Sequence, residues 1–235
     1  MTVETMDILG LDEMEQENTS MDDLNSESIS LIMTNIDQSG SIEQNHLTGT
    51  MRECLASFKK DISESKEKDE MLVAKGTFNN SDINVSGYKK IEEYDVSYIS
   101  RGGTPLYDSI ILTTEKLINY MTFLKDQGMR VKAVFSVFSD GEDTTSRATL
   151  SQAKKSIEKL NQMEVTTAFI GLGSEAVAEA KRLQFVNIFD IIDAKKSMTP
   201  EQIASALRRA FNVLSKSVIE SSKSVVAQAD DFFTM

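Results

Sequence analysis

Residues 30–41 read Ser-Leu-Ile-Met-Thr-Asn-Ile-Asp-Gln-Ser-Gly-Ser, a run of strand length that stops abruptly in polar, turn-forming residues. The near-continuous apolar content of 30–37 is that of a strand buried on both faces, and such strands belong to parallel sheets covered by helices. Outward from it, similar runs recur at 71–79, 95–100, 131–138, 165–172 and 188–192. Helical patterns fall between them, at 43–60, 105–127, 148–163, 175–184 and 200–222. In the second of these Leu106, Ile110, Thr114, Leu117, Met121 and Leu124 keep three- and four-residue spacing. Pro105 stands at its first turn and Gly128 just past its end, where each favours a helix boundary. The alternation predicts an α/β fold: a doubly wound, mostly parallel six-stranded sheet with helices on both faces. The runs 71–79 and 95–100 have only a loop between them, so they are expected to form a hairpin or an edge pair, and the sheet to have one antiparallel edge strand.

Composition agrees with one domain plus tails: 235 residues, 40% hydrophobic and 26% charged. The net charge of −12 is unevenly placed. Residues 1–51 hold eleven Asp or Glu and no Lys or Arg, while the remainder is close to neutral. That leaves no basic footprint for a phosphate backbone, so nucleic acid is not an expected partner. No apolar run reaches the length of a membrane span, and residues 1–31 lack the pattern of a secretion signal. With Cys54 as the single cysteine, the sequence reads as cytoplasmic. The expected organisation is an acidic arm at 1–28, a domain at 29–222 and a tail at 223–235. The arm is a solubilising tail, a docking segment or a self-masking one.

In open α/β sheets ligands gather beyond the carboxyl ends of strands. Three short, oxygen-rich loops lie there: Asp37-Gln38-Ser39-Gly40-Ser41, Gly102-Gly103-Thr104-Pro105 and Ser139-Asp140-Gly141-Glu142-Asp143. Two carboxylates, Asp37 and Asp140, with the hydroxyls of Ser39, Ser41 and Thr104, suit a hard divalent cation, Mg²⁺ or Mn²⁺. Because hydroxyls add no charge, such an ion keeps enough Lewis acidity to attract one further anionic oxygen, and a protein partner's Asp or Glu is the natural donor.

Asp37-x-Ser39-x-Ser41, Gly103-Thr104 and Ser139-Asp140-Gly141, in this order and strand context, resemble the metal-ion-dependent adhesion site of the von Willebrand factor A family. The resemblance covers roughly residues 29–222. It implies that Asp37, Ser39, Ser41, Thr104 and Asp140 hold the metal, directly or through water, and that the domain is a non-catalytic protein-binding adaptor. It also implies that binding at the metal is coupled to displacement of the last helix. Glu142 and Asp143 would crowd extra negative charge beside the third loop.

Other readings compete for these residues. A metal-dependent phosphohydrolase-like enzyme could use the same loops, but nothing resembles a phosphate-cradling loop, and Ser39 stands where an Asp-x-Asp nucleophile pair needs its second aspartate. A calcium loop over 37–48 fails, with Ile42 where glycine and Thr48 where glutamate are required. Gly171-Leu172-Gly173-Ser174-Glu175-Ala176, with Asp190 downstream, fits a dinucleotide fingerprint, or a glycine turn that lets a helix pack closely on its strand. His46 reads as incidental and Cys54 as a small buried apolar residue. Phe232 and Phe233 read as a cover for an apolar seam.

Overall fold

The computed structural model describes residues 18–20, 24, 27–80, 82–141, 143–191, 198–223 and 231–234. Six strands, β1 (Ser28–Asp37), β2 (Met71–Phe78), β3 (Ile83–Val85), β4 (Arg130–Ser139), β5 (Thr166–Gly171) and β6 (Asn187–Asp190), form one sheet in the order β3-β2-β1-β4-β5-β6. All neighbours are parallel except β3, which runs antiparallel to β2 at one edge. The helices are α1 (Gly40–Gln44), α2 (Thr48–Ser63), α3 (Leu106–Asp126), α4 (Leu150–Gln162), α5 (Ser174–Arg182) and α6 (Pro200–Lys223).

The alternation of side chains along β1 explains its apolar run. Ile29, Leu31 and Met33 enter a core shared with α3, α4 and α5, whereas Ile32 and Ile36 enter the core shared with α2 and α6. With both faces covered, the strand is mostly apolar, and its buried polar residues Thr34 and Asn35 are hydrogen-bonded, Thr34 to the Tyr94 hydroxyl at 2.8 Å and Asn35 to Ser109 at 2.8 Å. The final turn of the chain joins the second core: Phe232 is fully buried and donates its N–H to Asn187 Oδ1 at 2.9 Å. Phe233 meets Phe189 with ring centroids 5.3 Å apart.

Two expectations are corrected. Residues 95–100 are not a strand; the antiparallel edge is Ile83–Val85, paired with Gly76–Phe78. The edge pairing continues past β3, where Ser86 donates to the Lys75 carbonyl and Lys89 exchanges backbone bonds with Val73. The carbonyls of the following segment are instead taken by long cationic side chains. Lys59 Nζ donates to Tyr94 O (3.0 Å), Arg52 Nε to Tyr98 O (2.9 Å), and Lys75 Nζ to Asp95 O (2.9 Å) and Ser97 O (2.5 Å). Tyr94 and Tyr98 are buried, so the segment packs as an irregular strap over the sheet.

The first helix is also not continuous over 43–60. His46 adopts a left-handed conformation (φ 56°) and separates α1 from α2. The Asn45 backbone and side chain both donate to the Ser41 carbonyl, which closes the short first helix.

Candidate metal centre

After β1 the chain winds outward to β2 and β3, then crosses back to place β4 on the other side of β1. This reversal of winding opens a crevice at the carboxyl ends of β1 and β4. Asp37 is the last residue of β1, and Asp140 directly follows β4.

Asp37 is fully buried. Its Oδ1 accepts from the Ser39 amide at 2.7 Å and its Oδ2 from Ser139 Oγ at 2.7 Å. From behind, the buried Tyr98 hydroxyl donates to the Asp37 carbonyl at 2.7 Å. Ser39 Oγ lies 2.9 Å from Ser41 Oγ and donates to Asp140 Oδ1 at 3.4 Å. Four of the five expected residues are thus linked by direct contacts.

The loop that carries Thr104 is fastened to the other two by backbone bonds. The Gly40 amide donates to the Gly102 carbonyl (2.8 Å), and Arg101 N donates to Gln38 O (2.7 Å), stitching the first loop to the second. Gly102 is required there: its φ is +75°, and a Cβ would lie 2.5 Å from Asn80 Cβ. Thr104, itself buried, exchanges bonds with Thr144: its amide donates to Thr144 Oγ1 (2.8 Å) and its carbonyl accepts from the Thr144 amide (2.9 Å). Asp143 Oδ1 accepts from the Tyr107 amide at 3.1 Å, at the start of α3. Asp108 accepts from the amides of Arg147 (2.9 Å) and Ala148 (2.8 Å). The second and third loops are therefore zipped together, and Asp143 serves as a helix-end acceptor and loop fastener. Glu142 lies outside the described residues.

The electrostatics are those of an under-compensated anionic pocket. Burial, then the neighbouring charge of Asp140, pushes the Asp37 carboxyl up to about 7 against the opposing hydrogen bonds from Ser139 and Ser39. Burial also raises Asp140, with the Ser41 hydroxyl opposing it. Among the described residues there is no cluster of three or more His, Cys, Asp or Glu, so a cation here would depend on hydroxyls beside its two carboxylates. That donor set, all oxygen and short of positive charge, fits a hard divalent ion.

Ser139, to which its place in the third loop assigns no role, orients Asp37. No sequence signal marked Tyr98 or Thr144. Gly171 lies at the end of β5, where a Cβ would stand 3.1 Å from Val177 Cγ2 and 3.3 Å from Val177 N. Close packing of α5 accounts for that glycine.

No protein-family model and no curated protein matches the chain. Solved structures do. The pilus adhesin SpaC from Lactobacillus rhamnosus GG, in its open conformation, superposes with a TM-score of 0.62 at 12% identity, over 84% of this chain and 30% of the adhesin. The chain thus spans less than a third of that protein. The vWF domain of the type V pili tip protein Mfa5 from Porphyromonas gingivalis gives 0.55 at 11% identity, over 81% and 96%. The N-terminal domain of TFIIH p34 gives 0.52 at 10% identity, over 78% and 98%. The fold defines an α/β domain with its loops gathered at a switch point. More particularly, it is a von Willebrand factor A-type fold.

Proposed function

We propose that this chain is a non-catalytic, divalent-metal-dependent protein-binding domain. Asp37, Ser39, Ser41, Thr104 and Asp140 hold Mg²⁺ or Mn²⁺, and the bound ion supplies Lewis acidity toward an Asp or Glu carboxylate of a protein partner. The observation that carries the reading is the convergence of two buried carboxylates and two serine hydroxyls at the ends of β1 and β4, with Asp37 pushed up to about 7. Ser39 and Ser139 orient the Asp37 carboxylate, and the Thr104–Thr144 bonds tie the second loop to the segment that follows Asp140. The kinship of fold with a pilus adhesin and a pilus tip domain supports a binding role. In this reading residues 29–222 are the domain, 1–28 an acidic arm that solubilises the chain, docks a partner or masks the site, and 223–235 a tail. No helix among the described residues is long and apolar enough to cross a membrane. We place the domain in the cytoplasm on the single, buried, unpaired Cys54.

The test is Mg²⁺ titration by calorimetry on wild type and Asp140→Ala, with circular dichroism to check the fold. Wild type binds, and the folded variant loses at least 100-fold in affinity. A variant that binds Mg²⁺ as wild type does overturns the site.

A further inference from the structure

Along α5 and its cap the buried residues Ala176, Glu179, Ala180 and Leu183 recur at three- and four-residue spacing, so one face of the helix is turned inward. Ala176, Ala180 and Leu183 belong to the core shared with α3 and α4. Glu179 stands on the same face, its side chain 0% exposed. A carboxylate in such a place is costly unless its oxygens are bonded. The Tyr107 hydroxyl donates to Glu179 Oε1 at 2.5 Å. Arg182, half exposed, donates from Nη1 to Oε2 at 2.8 Å. Burial, then the bond to Glu179, pushes the Tyr107 phenol up, so the hydroxyl keeps its proton and remains the donor.

Tyr107 lies three residues after Thr104, in the first turn of α3. Its amide donates to Asp143 Oδ1 at 3.1 Å, in the segment that follows Asp140. The next residue fixes the same turn again, the Asp108 amide donating to Ser146 Oγ at 3.0 Å. Beside Thr104 the two loops touch: a Cβ on Gly103 would lie 2.7 Å from Thr145 Cγ2. The first turn of α5 lies against the end of β5, with Val177 N 3.3 Å from where a Gly171 Cβ would stand. A bond from α5 to Tyr107 therefore ties the sheet-packed helix to the turn that joins the Thr104 and Asp140 loops.

We propose that Glu179 is a positioning residue of the candidate metal centre: through the Tyr107 hydroxyl it holds the first turn of α3, and with it the Thr104 loop, against the segment that follows Asp140. The brace stands on these bonds; its effect on the ion rests on the metal reading above. Glu179→Gln keeps the carbonyl oxygen that Tyr107 needs and gives up only the charge facing Arg182, whereas Glu179→Leu removes both.

The experiment uses the full chain with Tyr107→Phe, Glu179→Leu and Glu179→Gln. In chelator, amide hydrogen exchange is read at Thr104, Tyr107 and Thr144, with β4 amides in the same samples reporting overall stability. Relative to β4, Tyr107→Phe and Glu179→Leu exchange about tenfold faster at the three amides, the order expected when a charge-assisted bond is lost. Mg²⁺ affinity by calorimetry falls severalfold in both, and Glu179→Gln keeps exchange and affinity near wild type. Tyr107→Phe, which trims one hydroxyl from a partly buried ring, carries the test if Glu179→Leu fails to fold. Wild-type exchange in Tyr107→Phe overturns the brace. So does a loss in Glu179→Gln equal to that in Glu179→Leu, which assigns the residue to its ion pair with Arg182. Faster exchange with unchanged Mg²⁺ affinity overturns the positioning role. Wild type that binds no Mg²⁺ overturns the metal reading and the positioning role with it, while the exchange measured in chelator still decides the brace.

Discussion

Asp37 and Lys75 are both buried charges, one at the crest of the sheet and one beneath the strap, and the protein treats them in opposite ways. Lys75 is 6% exposed, and its ammonium is met by two backbone carbonyls and by Asp95 at 3.5 Å. Burial lowers its pKa, and Asp95 works against that shift. Asp37 receives only two hydrogen bonds and faces a second carboxylate, and its pKa rises. The strap is electrically complete, whereas the crest is short of one cation. An imbalance of this kind is costly to keep, and it is the ground on which a metal site is proposed there.

The comparison breaks most visibly through pH. The folded pKa of Asp37, about 7, lies above its ordinary 3.8, so the stability tied to this group is full below about pH 4 and is lost as pH rises through 7. In chelator, wild type should lose about 3 kcal/mol between pH 5 and pH 8, read from urea unfolding at each pH. Asp37→Asn flattens that slope; an equal slope in the variant would sink the account of an unpaired crest charge.

Next in size is Lys75→Met, which leaves the Asp95 and Ser97 carbonyls without their donor. A loss of about 1–2 kcal/mol is expected from two half-buried hydrogen bonds removed at exposed acceptors, with little change in Mg²⁺ affinity. A neutral result would mean that the strap does not need its charge.

Asp143→Ala sharpens the contrast within the crest. Removing the acceptor for the Tyr107 amide costs about 1 kcal/mol, as for a lost helix cap. Because that bond fastens the Asp140 loop to the Thr104 loop, Mg²⁺ affinity falls severalfold as well. Tighter Mg²⁺ binding would instead support Asp143 as an added repulsive charge.

Much of this was legible in the sequence. Burial on both faces of β1 and β4 forces continuous apolar runs, and short oxygen-bearing residues after each strand announce the crest. The six-stranded, doubly wound sheet with one antiparallel edge follows from that pattern. The edge itself was misplaced because Val96 and Tyr98 alternate with polar neighbours as a strand would, and local alternation does not reveal that Arg52, Lys59 and Lys75 take the segment's carbonyls. Nor does helical periodicity record a single left-handed residue such as His46. At the site, Asp37, Ser39, Ser41 and Asp140 could be grouped because they share strand ends. Ser139 and Asp143 act through a partner side chain or a distant amide, a kind of role that spacing does not encode.

Cys54, on the face of α2 turned into the core it shares with α6, is 1% exposed, and burial pushes its thiol up to about 12. In the closed protein it is neither reachable nor ionised. The molecule therefore carries its own stopwatch: the rate at which a thiol reagent marks Cys54 counts the moments when those two helices part.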